Sequence, residues 1–408
     1  MMFIPNVLKN SDYRKLYLAA FLSELGSFIS ETAITIYLYE LASENKSYLG
    51  LSKAMFLIFM TLGNILGGPI GEKKNKRNVL LCCELFRIPI ICSIFFVQNV
   101  WSLIILHSGV AFFTGIFNPT RQASVNLMVP KNEISDANSL FGTTFAIIHF
   151  IGPIVGASAY AFFKGIHEVL ILDIATYCIG IFLLKRILNF DQKYSVSEKI
   201  LSKDINFFSD IKQGLQYVSR RVDLMALLTN NLIAGFVVGI LLPLLLPFSI
   251  EVLGKGKVEY GMLITIFGLG GFVGSLLTKQ INGHFRYGQI IVMTACIEAV
   301  TMLIWVNLPN YYGSLILLFI WGMNVLIRIP TDLNYISNSV EKQYLSRVHS
   351  LFDLTFVAPN ITGGILVGII GNRLPTYTIL MAAAILFCLL MIGRLPFKQM
   401  KTLYSSEI

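Results

Sequence analysis

Two glutamates, Glu24 and Glu31, stand seven residues apart inside an apolar run that begins near Leu16. On a helix that spacing is two turns along one face, about 10.5 Å of rise. A carboxylate taken out of water can bind a proton near neutral pH. Protonation then changes the cost of facing a wet or a dry surrounding, which is what proton coupling requires. Glu24, about 12 Å in from Leu16 at the helical rise, is the first candidate proton carrier, and Glu31, nearer the other end, is the second. The alternative for each is a structural hydrogen bond to a neighbouring helix.

A second polar stripe is Asn324, Arg328 and Asp332, at i, i+4 and i+8. Ionisable groups in apolar segments are expensive, so each needs a partner. For Arg328 the partners at hand are Asp332 and, in the next apolar segment, Asp353. Asn231, with Asn230, Asn334 and Asn360, offers neutral contacts to a cavity or hydrogen bonds between helices. Glu84 and Arg87, at i and i+3, read as a local structural pair. Glu298 stands alone in its apolar segment and takes no role. His107, His149 and His349 lack metal-ligand spacing, and the six cysteines lack the paired spacing of a zinc site or disulfide scaffold. No metal or cofactor is expected. No phosphate-binding glycine loop and no convergent nucleophile–base set is present, so neither an ATP-driven pump nor an enzyme is expected.

The elements that must hold these groups are membrane helices. Hydrophobic residues make up 55% of the 408 and charged residues 13%, about half the charge of a soluble domain. A spanning helix needs about twenty mainly apolar residues. Twelve such segments are expected, near 16–40, 48–71, 78–97, 101–127, 137–163, 167–189, 222–250, 258–280, 287–307, 312–338, 347–370 and 376–395. The polar start at Pro5–Lys15 leads directly into the first, with no cleavable leader evident. With the N-terminus inside, 23 of the 32 Lys and Arg fall on the cytoplasmic side. The positive-inside rule therefore puts both termini and the central linker there. The net charge of +9 is explained by that topology, and no nucleic-acid motif accompanies it.

The chain also contains itself twice. Pro119–Ile154 laid over Pro330–Ile365, an offset of 211 residues, gives twelve identities in thirty-six positions. They include Pro119/Pro330, Phe141/Phe352 and Gly152/Gly363. The expected organisation is two parallel-related six-helix halves, 1–190 and 222–408, joined by a cytoplasmic linker, 191–221. The offset sets Asp332 against Arg121, opposite charges at equivalent places. A contact of Arg121 with Asp332 at the cytoplasmic mouth is one reading; Arg328 pairing within its own half is the other.

Gly68-Pro-Ile-Gly-Glu72-Lys73-Lys-Asn-Lys-Arg77 resembles the signature loop of the major facilitator superfamily, with Glu72 for the usual Asp and Lys73 for the usual Arg. Pro119-Thr-Arg121-Gln-Ala, then Val129-Pro130, then Ala137-Asn-Ser-Leu140 resembles the branch of macrolide-type drug efflux pumps and enterobactin-type siderophore exporters. Glu84-Leu-Phe-Arg87 and Asp173-Ile-Ala-Thr-Tyr177 resemble that branch too. The resemblance implies an all-α integral membrane protein with the major facilitator fold, monomeric, in a bacterial-type inner membrane. It implies that Gly68, Glu72, Lys73, Arg77, Pro119 and Arg121 serve a cytoplasmic latch. Gly68 is expected to allow close helix packing there, and Gly268, Gly270, Gly271 and Gly274 close packing against the other half. The expected function is export of an amphipathic small molecule, drug-like or a siderophore, in exchange for protons across the surrounding lipid. The alternatives are an importer or lysophospholipid flippase on the same fold, and a non-transporting membrane receptor.

Overall fold

The computed structural model describes residues 6–187 and 207–406, with side chains omitted at residues 6, 72, 73 and 207–210. Most of the expected linker, 191–206, lies outside the described residues. Twelve long helices occupy the twelve expected segments, every boundary falling within five residues of expectation. They are α1 (Ser11–Leu41), α2 (Ser47–Lys73), α3 (Lys76–Ile94), α4 (Val100–Met128), α5 (Ile134–Phe163), α6 (His167–Lys185), α8 (Val222–Pro247), α9 (Lys257–His284), α10 (Tyr287–Asn307), α11 (Tyr311–Ser339), α12 (Leu345–Ile370) and α13 (Thr376–Ile392). No strand occurs among the described residues. Nine helices there are long and apolar enough on composition alone to cross a membrane. Of the other three, α1 and α3 carry more charge, and α13 is 17 residues long.

Two shorter helices were not foreseen. The last part of the expected linker folds as α7 (Phe207–Ser219). Ile211, Gly214 and Val218 recur at helical spacing on its inward side, and Gly214 lies against Leu351 and Arg347 of α12. After α13 the chain forms α14 (Lys398–Tyr404), which buries Met400 and Leu403.

The offset of 211 runs through the whole architecture. Shifted by it, α1 becomes 222–252, which is α8 plus the π-helical turn Phe248–Val252. Shifted α3 starts where α10 starts, and shifted α4 coincides with α11. Asn99 and Asn310, equivalent positions, both cap their helices by accepting backbone N–H bonds. The helices group into two compact units, Met1–Glu44 with Leu51–Leu201, and Asn45–Gly50 with Ser202–Ile408. Within the second unit, the Lys46 ammonium of that short segment bonds Glu251 at 2.9 Å and Thr376 at 3.0 Å.

Each unit has an apolar cluster at one end of its helices. In the first, Tyr13, Leu16, Leu80, Val125, Val129, Ala137 and Phe141 meet. In the second, the shifted positions Leu224, Leu227, Ile291, Ile336, Val340, Val348 and Phe352 do. The starts of α1, α3 and α5 therefore share a face with the end of α4, as alternating spans require. Tight pairs within a unit depend on glycine. A Cβ on Gly115 of α4 would strike the Met60 carbonyl of α2, and one on Gly274 of α9 the Met323 carbonyl of α11. Gly270, Gly271 and Gly274 thus pack against α11 of their own unit, a correction to the expectation that they serve the other half. The reason is geometric: their row on α9 is filled by the Phe319–Leu326 stretch of α11.

Candidate functional site

In the first unit α1 supplies the carboxylates. Glu31 accepts a bond from Lys53 Nζ of α2 at 3.0 Å, each side chain 27% exposed. Lys53 also lies over the Phe56 ring at 5.1 Å, and Phe56 in turn packs on His107 of α4, 4.9 Å between centroids. His149 of α5 sits 4.1 Å from the Phe28 ring of α1. Four helices thus bring an acid, an amine and two imidazoles together, and Glu31 feels the charges of all three. His107 is buried, its Nδ1 without a hydrogen-bond partner among the described residues.

Glu24, two turns earlier, is half-buried and makes no hydrogen bond or ion pair among the described residues. Its neighbouring charges are Arg87, Arg121 and Glu31. Arg121 of α4 is buried, its guanidinium stacked on Phe141 at 4.5 Å and Phe145 at 4.9 Å. The Nε and Nη1 atoms of Arg121 have no acceptor among the described residues. The first unit thus holds an acid and a guanidinium that are both uncommitted among the described residues.

Behind α1 lies a dry network. Ser23 donates to Glu84 at 3.2 Å and accepts from Arg87 at 3.2 Å, and Arg87 is 3.5 Å from Glu84. Ser30 donates to Asp173 of α6 at 2.6 Å, while the Ser27 and Tyr177 hydroxyls share a bond of 2.9 Å.

The second unit holds one buried triad. Arg328 donates from Nε to Glu298 at 2.8 Å and from Nη1 to Asp332 at 2.9 Å. Of the second polar stripe, Asn324 turns back to the Ile320 carbonyl at 2.8 Å. Asn231 ties α8 to α12 through the Phe352 carbonyl at 2.7 Å. Asp353 is exposed, one turn after His349, and outside the triad. Asn230 accepts from Arg394 at 2.9 Å.

At the signature loop, Arg77 donates to the Leu184 carbonyl at 3.2 Å and to that of Lys185, capping the end of α6. Gly68 does not pack closely: a Cβ there meets nothing within 4 Å. Its neighbours Gly67 and Gly71 do, against Ile116, Pro119 and Thr120 of α4, because they share the α2 face with Gly63 four residues apart. The side chains of Glu72 and Lys73 lie outside those described.

The sequence model of the Major Facilitator Superfamily matches residues 16–364. The chain belongs to the major facilitator superfamily. It is 24% identical over 339 residues to the uncharacterized MFS-type transporter YkuC of Bacillus subtilis (strain 168), covering 76% of this chain and 74% of that protein. To macrolide efflux protein A of Streptococcus pyogenes it is 20% identical over 342 residues, 81% of this chain and 82% of the relative. Its fold matches the crystal structure of the nucleoside transporter NupG with a TM-score of 0.79 at 10% identity, over 97% of this chain and 100% of that one. It is an integral membrane transporter of small molecules with efflux pumps among its relatives.

Within this superfamily member, Lys53 carries no expectation from the sequence, and His107, His149 and Glu298 take no site role there. A signal for Glu298 was present, since the offset of 211 sets it against Arg87 and sets Arg328 against Phe117. Arg87 lies over the Phe117 ring at 5.1 Å, so the Glu298–Arg328 bond reuses a contact that the first unit makes as a cation–π pair.

Proposed function

We propose that the protein is a secondary active exporter that moves an amphipathic small molecule, drug-like or a siderophore, by alternating access in exchange for protons. The observation that carries the reading is Glu24, a half-buried carboxylate in the middle of α1 with no committed partner among the described residues. A group held in a fixed ion pair pays to leave it, whereas an uncommitted one can trade a proton for a cationic or polar substrate group. Glu31 with Lys53 is the secondary site. The likeness to macrolide efflux protein A supports the outward direction and the amphipathic substrate class. The charge distribution supports both termini in the cytoplasm, and membership of the superfamily supports a bacterial-type inner membrane, a monomer of halves 1–190 and 222–408, and Arg77 with Glu72 and Lys73 as the cytoplasmic latch.

The test uses energised inside-out vesicles containing the protein. Lipophilic cations, macrolides, siderophores and lysophospholipids are added one at a time while the pH gradient is followed. Collapse triggered by one class, and lost in Glu24→Gln, is the expected result. Collapse that survives Glu24→Gln removes Glu24 as the coupling site, and no response to any class removes proton antiport of these substrates.

A further inference from the structure

We propose that Glu84, Arg87 and Asp173 form a proton-binding site in which one proton is carried by one of the two carboxylates. Glu84 and Arg87 come from one face of α3, a turn apart, and Asp173 from α6. They are 0%, 2% and 1% exposed. The serines of α1 are the remaining polar wall: Ser23 bridges Glu84 and Arg87, and Ser30 donates to Asp173. The faces of the Arg87 guanidinium are taken by aromatic rings, Phe117 at 5.1 Å and Tyr177 at 5.5 Å.

Charge counting leads to the proton. Two carboxylates and one guanidinium leave one negative charge in a dry site if all are ionised, and an uncompensated buried charge is the costliest state available. The other titratable groups facing the triad are Glu24 from α1, Cys83 from α3 and Tyr177 from α6. None of them is a cation, so none cancels the excess. Hydrogen bonding points the same way. Glu84 Oε1 and Asp173 Oδ1 are fully buried acceptors with no donor among the described residues, and the nearby Ser23 and Ser30 hydroxyls are already donating. One added proton converts a carboxylate to an acid, cancels the charge and supplies a donor.

This goes beyond the exporter reading and does not depend on it, because the proton is bound without substrate or gradient. It bears on that reading through Arg87, the first of the charges that Glu24 feels.

The experiment is infrared spectroscopy of the purified protein in lipid nanodiscs, in H2O and D2O, reading the carbonyl stretch of protonated carboxyl groups. Glu84→Gln and Asp173→Asn are each expected to remain folded and to lose one protonated-carboxyl band. In either variant the surviving carboxylate is balanced by Arg87 and needs no proton. Arg87→Met is expected to gain one band, since both acids then require protons. In Glu24→Gln the triad band is expected to persist. Retention of the band in both amide variants overturns the proposal, as does an Arg87→Met variant with no added band. If one amide variant fails to fold, the other reads the same band. If both unfold, a neutral group cannot stand in for a protonated acid there, and the proposal also fails. The vesicle assay can fail while this band is present, and the reverse, so the two readings fall separately.

Discussion

Removing Arg328 tests whether the triad of the second unit acts as one electrostatic object. Arg328 is 3% exposed, Glu298 2% and Asp332 1%, so water can replace little of what the guanidinium supplies. Arg328→Met deletes two charge-assisted bonds of 2.8 and 2.9 Å at once. Breaking a buried ion pair by taking one partner away costs about 3–5 kcal/mol, roughly two to three and a half decades in the folding equilibrium. Neutralising the whole set, Arg328→Met with Glu298→Gln and Asp332→Asn, removes the charges together, and such exchanges of complete buried triads are often near neutral. The triple variant is therefore expected to recover most of the stability that the single variant loses. The assay is unfolding by SDS in mixed micelles, followed by tryptophan fluorescence. Trp305 and Trp321 are buried in α10 and α11, the helices that carry Glu298 and Arg328. Equal losses in the single and triple variants would mean that no coupling exists among the three residues, and the argument from charge would be wrong.

Two further outcomes follow from packing and capping. Gly115→Ala and Gly274→Ala each drive a methyl into a facing carbonyl and are expected to cost about 1–3 kcal/mol in the same micelle titration, whereas Gly68→Ala, with nothing within 4 Å of its Cβ, is expected to leave the midpoint unchanged. Asn99→Ala and Asn310→Ala each remove an N-cap that accepts backbone N–H bonds, and each is expected to lower stability by about 0.5–2 kcal/mol; hydrogen exchange at the first turns of α4 and α11 should accelerate with it.

Much of the fold was legible because membrane helices declare themselves by length and apolar composition, and because the repeat checks the count. The offset found in Pro119–Ile154 proved to govern helix boundaries, caps and cores in both units. Which face of each helix meets which neighbour was much less legible. In a soluble helix the polar face marks the outside, but a lipid-facing side is as apolar as a packed one. In α9 nothing in the sequence separates exposed Leu276 from buried Leu263. This is why the expected partner of the α9 glycines differs from the observed one, and why the sequence does not tell the open Gly68 from the packed Gly67. It also explains Glu298, whose partner depends on the rotation of α10 against α11. The helix α7 was hidden for another reason: its inward stripe is only three residues long, inside a stretch that reads as polar.

The repeat kept its packing and changed its chemistry, and the places where it did so are informative. The cores correspond residue by residue, from Leu16 and Leu227 to Phe141 and Phe352. The charged positions do not: Arg87 faces Glu298 across the offset, Phe117 faces Arg328, and Arg121 faces Asp332. Glu24, Glu31, Glu84 and Asp173 of the first unit fall opposite Gly235, Leu242, Ala295 and Ala384. An acid on one of these helices therefore cannot be a requirement of the fold, because the other unit forms the same helix without it. In the first unit Glu24 and Arg121 are left uncommitted among the described residues. In the second, the one buried arginine is engaged by two carboxylates, the same ratio of acids to cation as Glu84 and Asp173 with Arg87. The uncommitted Glu24 and Arg121 thus lie in the first unit, while Glu298, Arg328 and Asp332 of the second are joined in one contact between α10 and α11.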